Sequence, residues 1–368
     1  MTNARLERGQ DIADKENQIQ RINDKNYKVK SQSSDIEYEI INTESGWICS
    51  CPDHMYRGVT CKHIYSVEIS HQLRSVVESI VIPEIANLCP QCKCDQIVKH
   101  GIRHNKYGDV QRYSCLNCNK RFTNNIGFEK MRASPQIITS AMQLYFTGES
   151  YRNVQKFLQL QGVNVSHMAV YKWISKYVSL MQKYIDTIKP NVSNVWRTDE
   201  LYLKVKGNNK FLFALMDDET RFWIAQQIAD KKYSSDIRMM FRKGIESTGK
   251  KPTILISDGA NNFHQAYKKE FWTREKANRT KHIRHIRFQG DVHNNKMERM
   301  NGEIRDREKT MRGVKKEDTP FLNGYQIYHN YIRPHEALDG KTPSEKCGIK
   351  IEGKNKWITL IKNANSYK

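Results

Sequence analysis

Between residues 134 and 180 the apolar positions recur every three or four residues. Ile138, Ala141, Met142 and Tyr145 form one series, Val154, Phe157 and Leu158 a second, and Val170, Trp173, Ile174 and Tyr177 a third. This spacing predicts three helices, each with one buried stripe. Ser134-Pro135, Ser150 and Ser166 stand where N-caps belong, and Gly148 and Gly162 interrupt the pattern between them. Beyond residue 190 the pattern changes to short apolar runs. Trp196–Val205, Phe211–Met216 and Phe222–Ile228 read as strands, with turns expected at Gly207–Lys210 and Asp217–Thr220. Ser234–Ser247 reads as a helix closed by Gly249, and Thr253–Asp258 as a short apolar strand ending in a carboxylate. A helix carrying Phe263, Ala266, Tyr267 and Phe271 follows, then a strand at His282–Arg287 and a helix opened by Asn294-Asn295. The first quarter shows strand-like segments at Tyr27–Ser31, Tyr38–Ile41 and Gly46–Ile48, then a helix over Ile64–Leu73. A strand–turn–strand follows: Ile97–His100, Lys106–Gly108 and Gln111–Ser114.

These elements are too many for one ordinary core, and 368 residues fit two to three domains. A mean hydropathy of −0.75 and the lack of a long apolar run exclude a spanning helix from the expectation. The most apolar connecting stretch, Ser75–Leu88, is broken by Glu78, Pro83 and Glu84, and Met1–Asp11 has no signal-peptide core. The expected setting is the reducing interior of a cell, with no membrane partner. A net charge of +21 at a pI near 9.5 then points to nucleic acid, because Lys and Arg neutralise phosphates and release counterions.

Eight of the nine cysteines lie between residues 49 and 118, and close pairing in a reduced compartment favours metal over disulfides. Cys49 and Cys51, on a strand, would present both thiols to one side, and nine residues later Cys61 and His63 supply a second pair. Four ligands close a tetrahedral Zn2+ site with no position left for catalytic water. His54 and His71 compete with His63. This C-x-C…C-x-H pattern resembles the SWIM zinc-binding motif. The second set, Cys89-x2-Cys92 and Cys115-x2-Cys118 with a 22-residue spacer, offers two thiolate knuckles to a second Zn2+. With the trailing Lys120-Arg121-Phe122 it resembles the zinc ribbon of many transposases. Cys94 stands beside Cys92 as an alternative, although neither Cys94 nor Cys347 is the expected ligand. Residues 99–132 carry eight Lys/Arg against two acids, which favours contact with DNA.

The three predicted helices form a helix-turn-helix pattern, whose third helix turns Met168, Tyr171, Lys172, Ser175 and Lys176 outward as groove-facing candidates. A common small helical bundle has the same pattern.

The order strand–strand–strand–helix–strand–helix–strand–helix is that of a ribonuclease-H-like α/β core, a mixed sheet flanked by helices. Asp199 in the first strand, Asp258 at the end of the fourth and Glu298 on the late helix, with 39 residues between the last two, resemble the DDE pattern of insertion-sequence transposases and integrases. The Asn-Asn-x-x-Glu-Arg context of Glu298 and the tail from Tyr328 to Pro343 strengthen the resemblance, which covers roughly residues 85–350. It implies a prokaryotic element, with an archaeal host among the options. It also implies catalysis by Asp199, Asp258 and Glu298, with two Mg2+ (or Mn2+) ions held by the same carboxylates. Mg2+ takes oxygen ligands, and two such ions activate the attacking oxygen and stabilise the leaving one. Glu200 neighbours Asp199, but strand alternation admits only one of them to the interior. Asp217, Asp218 and Asp291 are alternatives, the first two read as turn residues. Arg299 beside Glu298 and Arg305 seven residues beyond it are candidate phosphate contacts, together with Tyr171, Lys172 and Lys176. Residues 268–287 carry eight Lys/Arg against two acids and 296–316 eight against four, a phosphate track beside a nuclease-like site.

The expected organisation is therefore a SWIM-type module at 1–75, a zinc ribbon at 85–125, a helix-turn-helix domain at 130–185 and a catalytic domain at 190–350 with a tail to 368. The expected activity is cleavage and strand transfer of double-stranded DNA, at transposon ends and target, by a homodimer or larger assembly in the cytoplasm at the nucleoid. A catalytically silent DNA-binding regulator and a nuclease without joining activity are the competing readings.

Overall fold

The computed structural model describes residues 4–15, 18–22, 26–43, 46–75, 80–84, 88–92, 94–105, 108–123, 126–275, 279–285, 295–311 and 320–367. The chain divides into two compact units, Met1–Glu78 and Ser79–Lys368.

The first unit begins with helix α1 (Ala4–Ala13). Strands β1 (Ile19–Arg21), β2 (Asn26–Lys30), β3 (Glu37–Thr43) and β4 (Gly46–Cys49) follow as an antiparallel sheet in sequence order. The period-two pattern of β2 buries Tyr27 and Val29 and turns Lys28 and Lys30 away. A short α2 (Pro52–Arg57) and a longer α3 (Lys62–Ser75) complete the unit. Its core gathers Ile12, Tyr27, Val29, Ile40, Ile64 and Val67 around the thiols of Cys49, Cys51 and Cys61. Gly9 lets α1 and α3 touch, since a Cβ there would stand 2.6 Å from the Cβ of Tyr65.

The second unit opens with β5 (Ile80–Ile82). A three-stranded antiparallel sheet follows: β6 (Ile97–Asn105), β7 (Gly108–Cys115) and β8 (Arg121–Thr123). Of the expected turn at 106–108, residues 106 and 107 lie outside the described residues, and Gly108 begins β7. Helices α4 (Pro135–Thr147), α5 (Tyr151–Leu160) and α6 (His167–Ile185) come next. The hydroxyls of Ser134, Ser150 and Ser166 accept hydrogen bonds from the backbone N–H of Ile137, Asn153 and Ala169, so all three caps form.

The large sheet holds β9 (Val195–Val205), β10 (Asn208–Asp217), β11 (Trp223–Ala229), β12 (Ile254–Asp258) and β13 (Lys281–His285), in the order β11-β10-β9-β12-β13. β9 to β11 are antiparallel, and β12 runs parallel to both β9 and β13. The β9–β10 turn is tighter than the sequence suggests. Lys206 and Gly207 occupy it at φ 51 and 82, the two positive angles of a type I′ hairpin, and Asn208 to Lys210 already pair with β9. Helix α7 (Ser234–Thr248) packs on β11 and β10, α8 (Asn261–Glu270) packs on α7, and α9 (Asn295–Met311) lies on β9. Phe263, Ala266, Tyr267 and Phe271 are buried as their spacing predicts, and so are Met297, Met300 and Ile304.

Helices α4–α6 do not close over a core of their own. They share one apolar cluster with the sheet, with α10 (Pro320–Ile327) and with α12 (Lys356–Ser366). Phe146 of α4 stacks on Trp357 at 5.6 Å and on Tyr328 at 6.2 Å. Gly324 admits this contact, because a Cβ there would lie 2.3 Å from the ring of Phe146. After α10 come a π-helical turn (Tyr328–Ile332), a 3-10 turn (Glu336–Leu338), α11 (Pro343–Lys346) and β14 (Ile349–Ile351), which pairs in parallel with β5. No helix among the described residues is long and apolar enough to cross a membrane.

Candidate active site

The parallel ladder between β9 and β12 ends at Arg197 and Ile256, while β9 remains paired with β10 through Val205. Beyond the last rung, Ser257 and Asp258 at the carboxyl end of β12 pair with β13 but no longer with β9. Crevices outside the carboxyl ends of parallel strands are the usual ligand positions of α/β sheets. Asp199 and Asp258 meet there. Glu200 joins them, and one carboxylate oxygen from each of the three lies within 4.8 Å of the others. Both residues remain in the β9–β10 ladder, paired with Ala214 and Phe213, so alternation still gives their side chains opposite directions. The longer side chain of Glu200 nevertheless brings a carboxylate oxygen to the same group as Asp199 and Asp258.

Each carboxylate is held by local structure. Asp199 accepts from the backbone N–H of Glu200 at 2.9 Å and from Asn301 Nδ2 at 2.8 Å, and Asp258 accepts from the backbone N–H of Ala260 at 3.1 Å. Burial, together with the charges of Asp258, Glu200 and Glu298, pushes Asp199 up to about 7. Burial also raises Glu200, against the ion pair it makes with Lys232 at 2.5 Å.

Glu298 occupies the first turn of α9, exposed, and belongs to no close group with Asp199 and Asp258. Its charge nevertheless acts on Asp199. Buried Asn301, one turn along the same helix, makes the direct bond from α9 to Asp199, and its Oδ1 is left without a partner. The i, i+3 spacing of Glu298 and Asn301 is the sequence signal for this residue. Lys296 ties the start of α9 to Asp218 at 2.8 Å, and Asp218 also pairs with Arg197. Burial would raise Asp218, but Lys296 and Arg197 outweigh it and hold the carboxyl below its usual range. Buried Asp217 accepts from Ser193 and Thr220 and so braces the β10–β11 turn. Both residues are thus structural. Asp291 lies outside the described residues. Further along α9, Glu303 takes a forked ion pair from Arg333 and a hydrogen bond from Tyr325. His335, half-buried, packs against His329 at 4.6 Å between ring centres, and its Nε2 lies 3.2 Å from the His329 carbonyl. Arg299 and Arg305 are exposed. So are Lys172 and Lys176 on α6, whereas Tyr171 is half-buried against Tyr151.

The cysteines form two groups. Cys49 at the end of β4, Cys51 at the N-cap of α2, and Cys61 and His63 at the start of α3 offer ligand atoms within 4.8 Å of one another, all buried. Cys51 has left the strand, so a helix cap rather than strand alternation aims its thiol. His63 Nδ1 lies 3.9 Å from Cys49 Sγ and 4.0 Å from Cys61 Sγ. A tetrahedron with Zn–S about 2.3 Å and Zn–N about 2.0 Å has edges of roughly 3.5–3.8 Å, so the set is close to that geometry. The hydrogen bond with the Cys49 thiol lowers Cys61 below its ordinary range. His54 instead bonds the carbonyl of Val59, and the side chain of His71 lies outside the described residues. In the second group Cys89 lies 3.4 Å from Cys118 and Cys92 3.5 Å from Cys115. Cys94 stands 3.2 Å from Cys115, a fifth thiol within reach. Cys347 is buried elsewhere and donates to Thr220.

Residues 193–335 match the family model described as a DDE domain. Over 137 residues the chain is 28% identical to the transposase for insertion sequence-like element IS431mec of Staphylococcus aureus, covering 36% of this chain and 59% of that protein. The transposase for insertion sequence element IS257 in transposon Tn4003 of Staphylococcus aureus matches with the same figures. The chain thus spans 59% of the length of the curated relatives it matches. Among solved structures, the HTLV-2 integrase catalytic core domain in complex with magnesium aligns at 19% identity and a TM-score of 0.31, over 44% of this chain and 98% of that one.

Proposed function

We propose that this chain is an insertion-sequence transposase that cleaves DNA at the ends of its element and joins them to target DNA. The observation that carries the proposal is the convergence of Asp199, in the middle of β9, and Asp258, at the end of β12, inside a segment matching a DDE domain. In this reading Asp199, Asp258 and Glu298 hold divalent Mg2+ or Mn2+. The donors fit such ions: all are carboxylate oxygens, Lys232 offsets only part of their charge, and the buried Oε2 of Glu200 has no partner. When bound, the ions activate the attacking water or 3′-hydroxyl and stabilise charge on the leaving oxygen. The chain's own residues position that chemistry: Asn301 orients Asp199, and Lys296 and Asp218 anchor the start of the Glu298 helix.

Two structural Zn2+ ions occupy the cysteine sets of Cys49, Cys51, Cys61 and His63 and of Cys89, Cys92, Cys115 and Cys118. Helices α4–α6 act as a helix-turn-helix reader, with Tyr171, Lys172 and Lys176 toward double-stranded DNA and Arg299 and Arg305 on phosphates beside the carboxylates. The chain works as a homodimer or larger assembly, in the cytoplasm at the nucleoid.

The test is a Mg2+- or Mn2+-dependent cleavage and joining assay on DNA flanking the gene, with Asp258→Asn as control. Joined products from the wild type alone support the proposal. Tight binding without products would move the reading to a regulator, and free ends without joined molecules to a nuclease.

A further inference from the structure

We infer that Glu200 is a further ligand of the divalent cation at this site, reaching it through Oε2 beside Asp199 and Asp258. The inference rests on the metal-dependent reading above and adds a residue to it. Three observations carry it. Glu200 offers an oxygen within 4.8 Å of both Asp199 and Asp258. Its side chain is only 9% exposed, and Lys232 takes Oε1, while buried Oε2 has no hydrogen-bond partner. The β9–β12 ladder, finally, stops at Arg197, so Asp199 and Glu200 both lie beyond the last rung that ties β9 to β12.

A buried carboxylate oxygen without a donor is costly, and neighbouring like charges increase the cost. A cation in the crevice removes both penalties at once. Lys232 fits as a brace. Its ammonium lies 5.2 Å from the ring centre of Tyr202 and 5.1 Å from that of Phe211, which holds it on the Oε1 side and leaves Oε2 without a protein donor.

The experiment is an Mn2+ titration of the full-length chain without DNA, followed by electron paramagnetic resonance, with melting curves to verify folding. Four proteins are compared: wild type, Glu200→Gln, Lys232→Met and Asp258→Asn. We expect Glu200→Gln and Asp258→Asn each to weaken the tightest Mn2+ site roughly tenfold or more. Lys232→Met leaves it equal or tighter, because a competing positive charge is gone. Wild-type affinity in Glu200→Gln alongside loss in Asp258→Asn would overturn the role of Glu200 and leave the proposed function standing. Equal losses in Glu200→Gln and Lys232→Met would make the ion pair a structural brace and likewise overturn the inference. Wild-type affinity in Asp258→Asn would remove the cation site, and both readings with it. If Glu200→Gln does not fold, Glu200→Asp replaces it: the charge is kept but the reach shortened, so intermediate affinity supports a ligand and unchanged affinity excludes one.

Discussion

Residues 1–78 carry ten Lys/Arg against twelve Asp/Glu, whereas residues 79–368 carry 51 against 28. The basic excess of the chain therefore belongs wholly to the larger unit. The two cores differ as sharply. The larger unit buries a continuous set of aromatic and aliphatic side chains running from Phe128 through Trp196 and Trp223 to Trp357. The smaller unit buries a handful of apolar residues around three thiols. A domain of that size seals too little apolar surface to be secure by burial alone, and small domains rely on metals or disulfides for the difference. The smaller unit is therefore expected to depend on its cysteine set for folding and to add little to phosphate binding, and the larger unit to fold on its own core and to supply the charge.

The largest expected effect is on metal removal. Chelation, or Cys61→Ser, should abolish the folded state of the smaller unit, since structural Zn2+ supplies on the order of 10 kcal/mol in small metal-folded domains. The larger unit should keep its cooperative melt and lose only the order of β6–β8. Circular dichroism melts with and without chelator check this, and a smaller unit that melts unchanged would break the comparison.

Two glycines sharpen it next. In Gly9→Ala the new Cβ meets Tyr65 at 2.6 Å, and in Gly324→Ala it meets the Phe146 ring at 2.3 Å. Each should cost roughly 1–3 kcal/mol by overpacking. Gly9→Ala should lower only the transition of the smaller unit, by about 4–8 °C per kcal/mol at that size, and Gly324→Ala only the other, by about 2–4 °C per kcal/mol. A shift of both transitions by either variant would show that the units melt as one.

Acid separates the units by mechanism. His329 is buried, its Nε2 bonds the Arg221 carbonyl and its Nδ1 has no partner, and burial pushes it down to about 3. The folded state then binds fewer protons than the unfolded chain between that value and the ordinary 6.5. Its contribution is complete above pH 6.5 and lost as pH falls toward 3. Between pH 7 and 5 this amounts to about 2 kcal/mol from one such group. His329→Gln should flatten that part of the stability–pH curve in the larger unit, read by denaturant unfolding at several pH values. An unchanged slope would rule out His329 as its source.

Much of this was legible in sequence because local signals and tertiary packing agreed. The three serine caps, the stripes of α4 and α6 and the order of strands and helices around Asp199 and Asp258 all obey short-range rules, whereas in α5 only Val154 and Leu158 of the expected stripe are buried and Phe157 is 43% exposed. The missing parts depend on where a ladder ends or on contacts between distant segments. Alternation along β9 excludes Glu200, and only the placement of its side chain in three dimensions brings its carboxylate beside Asp199 and Asp258. Asn301 matters only because α9 lies on β9. The turn composition of Asn208-Asn209-Lys210 points one step too late, because the two positive φ angles belong to Lys206 and Gly207 and the Asn-Asn-Lys run already pairs with β9. That α4–α6 share a core with the sheet could not be read from their stripes, which are equally those of a separate bundle. Phe146, Gly324 and Trp357 decide it, and they are scattered across more than two hundred residues.

The smallest expected effect tests the charge half of the comparison. Lys172 and Lys176 are exposed on α6 of the basic unit, and Lys28 and Lys30 lie on β2 of the smaller unit, opposite Glu39 and Glu37. Each phosphate contact adds about 0.9 to the slope of log affinity against log salt, and a cation already facing a carboxylate on the next strand releases few counterions on binding. Lys172→Ala with Lys176→Ala should therefore weaken DNA binding by roughly tenfold at moderate salt and reduce the slope by about 1–2. Lys28→Ala with Lys30→Ala should leave both affinity and slope as they are. Fluorescence anisotropy on one duplex over a salt series measures both quantities together. An equal loss from the β2 pair would place the smaller unit on DNA despite its charge balance, and the division of labour drawn from composition would fail.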